Sequence, residues 1–271
     1  MAIKLIALDC DGTLLDDKGK ILPSSVEAIK KAKNKGVRIV LVTGRPYVSS
    51  KPILQKLGLD NMEDEYLAAF HGALLQTTSG QIISKNPLSF KDFADLDLFA
   101  VNRQVSMVVE TPKYILTTMG NIHPKTAFES LKNKLLIRVR TLHQCMEQQD
   151  TFEMLKVLLI GDKDKLDKIE YNIPKWMKKR FTVARSEDYC IDVSSKSINK
   201  GIALKAIAEK LKIKPDEIMA FGNADNDIPM IEYAKYGVAM GNSSPKLIKA
   251  ANIVTDDNNS DGIAIVLDKY I

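Results

Sequence analysis

The sequence predicts an α/β protein, a parallel sheet with helices on its faces whose chain is interrupted by an inserted α+β segment. Three observations predict it. Short apolar strands alternate with helical patterns from residue 3 to residue 70; from Gly72 that rhythm gives way to hairpin and mixed patterns; past Ser194 it returns and runs on to the last residues. Strands that alternate with helices pair in parallel through right-handed crossovers, so the core is read as residues 1–83 with 193–271 and the insert as 84–192. Both core segments then send strand ends to one edge of the same sheet, the edge at which open α/β sheets bind ligands.

Each element has its own signal. Residues 3–8, Ile-Lys-Leu-Ile-Ala-Leu, form a buried strand that opens into a loop at Gly12. Ser24, with Glu27 three residues on, reads as the N-cap of a helix that ends at Gly36 behind a lysine-rich turn. A second strand at 37–42 stops at Thr43-Gly44-Arg45-Pro46, a helix at 47–57 stops at Gly58, and 66–70 is a third strand. Residues 73–76 and 81–84 flank Thr77-Thr78-Ser79-Gly80 as a hairpin. Within the insert, 89–103 and 124–135 carry helical spacing and 105–110 and 114–118 alternate like antiparallel strands, and 155–160, 163–172, 181–184 and 189–193 continue the mixture. The returning core reads as a helix at 200–211, a turn at Pro215 and a strand at 218–221 that ends in Gly222-Asn223-Ala224-Asp225-Asn226-Asp227. A helix from 229, strands at 236–240 and 253–254, and helices at 245–250 and 261–269 complete the pattern.

With 271 residues, 45% of them apolar, the chain can build one large core or two of ordinary size. Cys10, Cys145 and Cys190 are too scattered for a disulfide framework or a zinc cluster, and an odd number suits a reducing compartment. Lys4 and Asp9 interrupt the first apolar stretch, so it reads as neither a signal peptide nor a membrane span, and no other run approaches about 18 apolar residues. The expectation is a cytoplasmic protein without a membrane partner. The net charge of +5 is spread over both parts, with no basic stripe and no aromatic interleaving, which reads as solvated helix faces rather than a nucleic-acid surface.

Polar chemistry gathers where predicted elements end. Asp9 and Asp11 lie two residues apart, so an extended chain puts both on one side and Cys10 on the other. Two close carboxylates repel and desolvate one another unless a cation, a proton or a substrate lies between them, which points to a metal or acid–base site. Thr43 and Gly44 end the second strand, Lys200 opens a helix, and residues 223–227 follow a later strand. In this order, Asp-x-Asp-Gly-Thr, Thr-Gly-Arg, Lys-Gly and Gly-x-x-x-Asn-Asp resemble the motifs of the haloacid dehalogenase-like (HAD) hydrolase superfamily. The insert after the second motif, with Gly-Val-Ala-Met-Gly-Asn and Asp-Gly-Ile-Ala near the end, is similar to its Cof-type sugar-phosphate phosphatases with an α+β (type IIB) cap. The resemblance covers the whole chain.

That resemblance implies a HAD-like Rossmannoid core and a phosphoric monoester hydrolase. Such a reaction needs a nucleophile, positive charge beside the phosphate and an acid for the leaving oxygen. By implication Asp9 attacks phosphorus to form an aspartyl-phosphate, and Asp11 protonates the departing alkoxide and then takes a proton from water. Family dehalogenases place no acid there, so Asp11 favours phosphoryl transfer to water. Thr43, Gly44, the Cys10 backbone, Lys200 and Asn226 would hold the phosphate, and Lys200 would keep Asp9 ionised. Asp9, Asp11, Asn223 and Asp227 would hold Mg²⁺, with Asp227 also orienting its loop and Lys200. Two positions depart from the pattern. Asn223 stands where Cof-type chains carry a metal-binding Asp, which predicts weaker metal binding unless Asp225 or Asp227 compensates. His71 stands where the family often has Asn, and reads first as a turn residue and second as a substrate contact. The implied substrate is a small phosphorylated metabolite, sugar phosphates foremost; a metabolite-binding regulatory module, motivated by Asn223, and a phosphomutase are the alternatives.

Overall fold

The computed structural model describes residues 2–151 and 153–271, Asp150 by its backbone alone. The chain divides into two compact units, one formed by the chain up to Ser84 together with Asn199–Ile271, the other by Lys85–Ile198. Its strands in chain order are β1 (Leu5–Leu8), β2 (Arg38–Val42), β3 (Tyr66–Ala69), β4 (Leu74–Thr77), β5 (Ile82–Lys85), β6 (Ser106–Glu110) and β7 (Tyr114–Thr117). They continue with β8 (Leu136–Val139), β9 (Lys156–Ile160), β10 (Phe181–Glu187), β11 (Cys190–Ser195), β12 (Ile218–Gly222), β13 (Tyr236–Ala239) and β14 (Ile253–Val254).

The first unit holds one eight-stranded sheet in the order β14-β13-β12-β1-β2-β3-β4-β5. From β14 to β3 the pairing is parallel, and β4 turns back antiparallel against β3. β1 lies inside the sheet with every residue buried, its Leu8 paired with Leu41 on one side and Phe221 on the other. Continuous apolar strands are what a parallel sheet covered on both faces requires. On one face Leu5, Ala7, Val40 and Val42 pack with Leu204 and Ile207 of the helix Lys200–Leu211 and with Met230 and Ile231 of the helix Ile228–Tyr233. Those two helices touch at Gly201, where a Cβ would stand 2.4 Å from the Pro229 carbonyl oxygen. The helix Pro23–Asn34 starts differently from the sequence expectation. Its N-cap is Leu22 with no side-chain cap, because Pro23 presets the first turn, and the Ser24 hydroxyl donates to Asp261 instead.

The second unit is a six-stranded sheet in the order β10-β11-β9-β6-β7-β8, antiparallel except for β7 with β8. It ends at Ile198 rather than at 192, since β11 does not stop at Val193 but stays in ladder with β10 as far as Ser195. The helix Phe90–Arg103, begun by a capping box between Ser89 and Asp92, packs Phe93, Leu96 and Ala100 with Met107, Val109, Val157 and Leu159. Trp176 fills the same core, edge-on to Phe99 and Phe181. β8 was not legible in the sequence, because at the sheet edge Leu136 and Val139 are both exposed and the burial alternation is lost. Among the described residues no helix is long and apolar enough to cross a membrane.

Candidate active site

The strand order sets three carboxyl ends side by side: β1 leads to Asp9, β2 to Thr43, and β12 to Asn223. Asp9 continues the ladder by one bond, its N–H donating to the Phe221 carbonyl at 3.1 Å, and then the chain folds into a turn closed by Leu15 N–H on the Cys10 carbonyl at 2.9 Å. Gly12 makes that turn at φ +73°, a conformation glycine adopts without cost. The turn corrects the expectation that both aspartates face one shared partner. Asp9 is buried, Asp11 is exposed, and each carboxylate has a cation of its own.

Lys200, fully buried at the first turn of its helix, donates to Asp9 Oδ1 and to Asp227 Oδ1, both at 2.5 Å. Burial and the neighbouring Asp227 push the Asp9 carboxyl from 3.8 up to about 7, and Lys200 offsets only part of this. Burial alone would lower the Lys200 ammonium, but the two carboxylates hold it above the ordinary lysine range. The Cys10 thiol, buried and beside Asp9 and Asp11, is pushed up to about 12, so it is no nucleophile at neutral pH.

Asp227 is a brace. Its Oδ2 accepts the N–H groups of Asn223 and Ala224, both at 3.0 Å, while Oδ1 takes Lys200. Gly222 makes room for it, since a Cβ there would stand 2.5 Å from the Asp227 Cβ. Both Asp227 oxygens thus have partners within the protein, which fits the loop- and Lys200-orienting role expected from sequence. The Asp225 oxygens accept from Ser244 Oγ at 2.6 Å and Lys246 Nζ at 2.7 Å.

Asp11 accepts two bonds from Arg45, Nε on Oδ2 at 2.8 Å and Nη2 on Oδ1 at 2.5 Å. The Thr-Gly-Arg motif assigns Arg45 no role by itself; its signal in the sequence is an arginine and an aspartate just past the ends of β2 and β1, which pair in parallel. Asn223 reaches the β1 turn from β12, its Oδ1 accepting from Thr13 Oγ1 at 3.0 Å and its amide lying against Gly12. Asn242, from the Gly-Val-Ala-Met-Gly-Asn stretch, adds a third tie by donating to the Gly12 carbonyl at 2.9 Å.

Among the described residues no three His, Cys, Asp or Glu side chains group to hold a metal ion. The side-chain oxygens that follow β1 and β12 include those of Asp9, Asp11 and Asn223, which accept from Lys200, Arg45 and Thr13 respectively. All are oxygens, which suits a hard cation such as Mg²⁺ that keeps several of its waters.

At the end of β2 Thr43 is buried, its N–H on the Ala68 carbonyl at 2.9 Å and its hydroxyl accepting the Arg45 N–H at 3.1 Å. His71 is a turn residue at φ +58°, with its N–H on the Thr43 carbonyl at 2.9 Å. Its ring also lies against Gly44, where a Cβ would stand 2.5 Å from Cε1, and its Nδ1 is 3.4 Å from Asn226 Nδ2. His71 therefore stands between Gly44 and Asn226, two of the residues assigned to phosphate.

A buried lysine spanning two carboxylates at the carboxyl edge of a parallel sheet is the site that this α/β fold presents. The model for haloacid dehalogenase-like hydrolases matches residues 6–267, and the chain belongs to that family. A Streptococcus pyogenes protein named as a candidate phosphatase is 32% identical over 272 residues, covering 100% of this chain and 99% of its own. A Bacillus subtilis relative, 28% identical over 99% of this chain and 96% of its own, is named a 5-amino-6-(5-phospho-D-ribitylamino)uracil phosphatase. Among solved structures, a haloacid dehalogenase-like hydrolase from Bacteroides thetaiotaomicron superposes with a TM-score of 0.86 at 28% identity, over 99% of this chain and 100% of its own. A HAD phosphatase from the same organism superposes at 0.82 and 26% identity, over 99% and 95%. The chain is a phosphatase of the HAD superfamily.

Proposed function

We propose that the chain hydrolyses small phosphorylated metabolites, sugar phosphates foremost, through an aspartyl-phosphate on Asp9 and with Mg²⁺ as cofactor. The observation that carries this reading is the Lys200 bridge, which sets a buried cation against Asp9 at the carboxyl edge of the sheet. Asp9 attacks phosphorus and the bond to the leaving oxygen breaks while Asp11 gives that oxygen its proton. Water then attacks the phosphoryl group, Asp11 takes the water's proton, and the Asp9 carboxylate is regenerated. Thr43, Gly44, the Cys10 backbone, Lys200 and Asn226 are the assigned phosphate contacts, acting by donors placed before the charge develops. Asp9, Asn223 and the Asp11 residue would hold Mg²⁺, which when bound neutralises phosphate charge and favours the ionised form of Asp9. The relative named for a phosphorylated ribitylaminouracil supports a small phosphorylated substrate. The insert, Lys85–Ile198, is assigned the choice of leaving group.

Purified protein incubated with p-nitrophenyl phosphate and a sugar-phosphate panel, with and without Mg²⁺, tests the reading. Phosphate release that needs the metal and disappears in Asp9→Asn is expected; release indifferent to either sinks it. Asn223 favours one other reading, a metabolite-binding module with weakened catalysis. Tight binding by calorimetry with no turnover, even in Asn223→Asp, selects that reading.

A further inference from the structure

We propose that Arg45 is a positioning residue that fixes the direction in which Asp11 works as acid and base. The inference deepens the proposed function and rests on its assignment of Asp11.

Asp11 cannot orient itself. Its side chain is 52% exposed, so packing alone does not hold it in one orientation. A general acid has to lie within hydrogen-bond reach of the oxygen it protonates, and small losses of orientation cost large factors in rate. Arg45 constrains it by gripping both carboxylate oxygens at once, at 2.8 and 2.5 Å. Two bonds from one planar guanidinium fix a carboxylate's plane as well as its distance, which a lysine ammonium cannot do.

Arg45 is itself well anchored. Its side chain is only 16% exposed. Its N–H donates to Thr43 Oγ1 at 3.1 Å and its carbonyl accepts the Phe70 N–H at 3.4 Å. Pro46 follows, which restricts the Arg45 backbone to extended conformations. The same Thr43 that is assigned to phosphate thus holds the residue that aims Asp11, so the phosphate contact and the residue that orients the proton donor share the loop after β2.

The test compares an alkyl phosphate, whose alkoxide needs the proton, with p-nitrophenyl phosphate, whose phenolate needs it far less. Arg45→Met is expected to lower the ratio of alkyl to aryl kcat by about 30-fold, and Arg45→Lys, which keeps the charge and folding but loses the fork, by an intermediate factor. Adding Arg45→Met to Asp11→Asn is expected to leave that ratio where Asp11→Asn alone puts it, as for two residues that act as a unit. An equal loss on both esters through a raised KM would show that Arg45 binds the phosphate directly, and overturns the proposal. So does a double variant whose ratio falls by the product of the single effects. If Asp11→Asn treats both esters alike, the acid role assigned to Asp11 fails first and the proposal goes with it; a discriminating Asp11→Asn beside an indifferent Arg45→Met overturns the proposal alone.

Discussion

Lys200 makes the sharpest thermodynamic prediction. Replacing it with methionine keeps the side chain's length and removes the one cation that serves both Asp9 and Asp227. Breaking a buried pair from one side costs about 3–5 kcal/mol when the stranded charge stays ionised, and here two carboxylates are stranded together. Even with Lys200 present, burial and Asp227 hold the Asp9 carboxyl at about 7, so without it the group is driven further toward its neutral form. A carboxyl whose folded pKa lies above its ordinary 3.8 binds protons on folding. The cost is therefore absent at low pH and grows as the pH rises from 3.8 toward the folded value. Urea unfolding at several pH values should show Lys200→Met less stable than the parent by about 4 kcal/mol at pH 8, with a deficit that shrinks steadily on acidification. Adding Asp227→Asn should recover about 2 kcal/mol at pH 8, because one stranded charge is gone. A deficit that stays constant with pH, or is below about 1 kcal/mol at pH 8, would refute the claim that this lysine compensates two buried acids.

Gly44→Ala should raise KM for any phosphate ester, because its Cβ meets the His71 ring, and His71→Ala in the same chain should restore KM by vacating that space. Gly201→Ala should cost about 1–3 kcal/mol in denaturant unfolding, since the clash is with the Pro229 backbone and no side chain can move to relieve it. Burial raises the Asp92 carboxyl, but hydrogen bonds from Ser89 and Arg180 outweigh it and hold it below its ordinary 3.8. The stabilising effect is present above that value and lost as the pH falls, so Asp92→Asn should cost about 1 kcal/mol near neutrality and nothing in strong acid, as followed by thermal melts. Asn223→Asp should tighten Mg²⁺ binding about tenfold in titration calorimetry of the substrate-free protein, by restoring one negative charge to the oxygen donors.

The core was legible because its signals are local and redundant. Strands such as β1, and β2 after its first residue Arg38, are apolar runs closed by small or acidic residues, and helices such as Tyr47–Leu57 end at a glycine that sits in the left-handed region. The motif residues fell at the predicted element ends because parallel strands with right-handed crossovers leave few other places for them. What the sequence withheld was pairing across the sheet. Nothing local says that Asp9 and Asp11 part company at Gly12, that Asp227 spends both oxygens on Lys200 and its own loop, or that Arg45 reaches Asp11. Those contacts depend on β12, β1 and β2 lying side by side. The insert was harder for another reason. At the edge of its sheet β8 exposes Leu136 and Val139, so the period-two pattern that reveals a half-buried strand was missing.

The order of β12 beside β1 also governs when the protein can be finished. Asp9 and Lys200 are 191 positions apart in the chain. At a synthesis rate of about 5–20 residues per second, roughly 10–40 s pass between the appearance of the aspartate and that of its lysine. For that interval β1 can gain β2 on one side, but its other edge lacks the strand that will cover it, and an apolar edge with unpaired backbone groups invites pairing with other chains. The intervening unit has a core of its own and can close before the outer one does. The Asp9–Lys200 pair therefore closes only after most of the chain has been made, and until β12 arrives the nascent chain carries the open edge of β1.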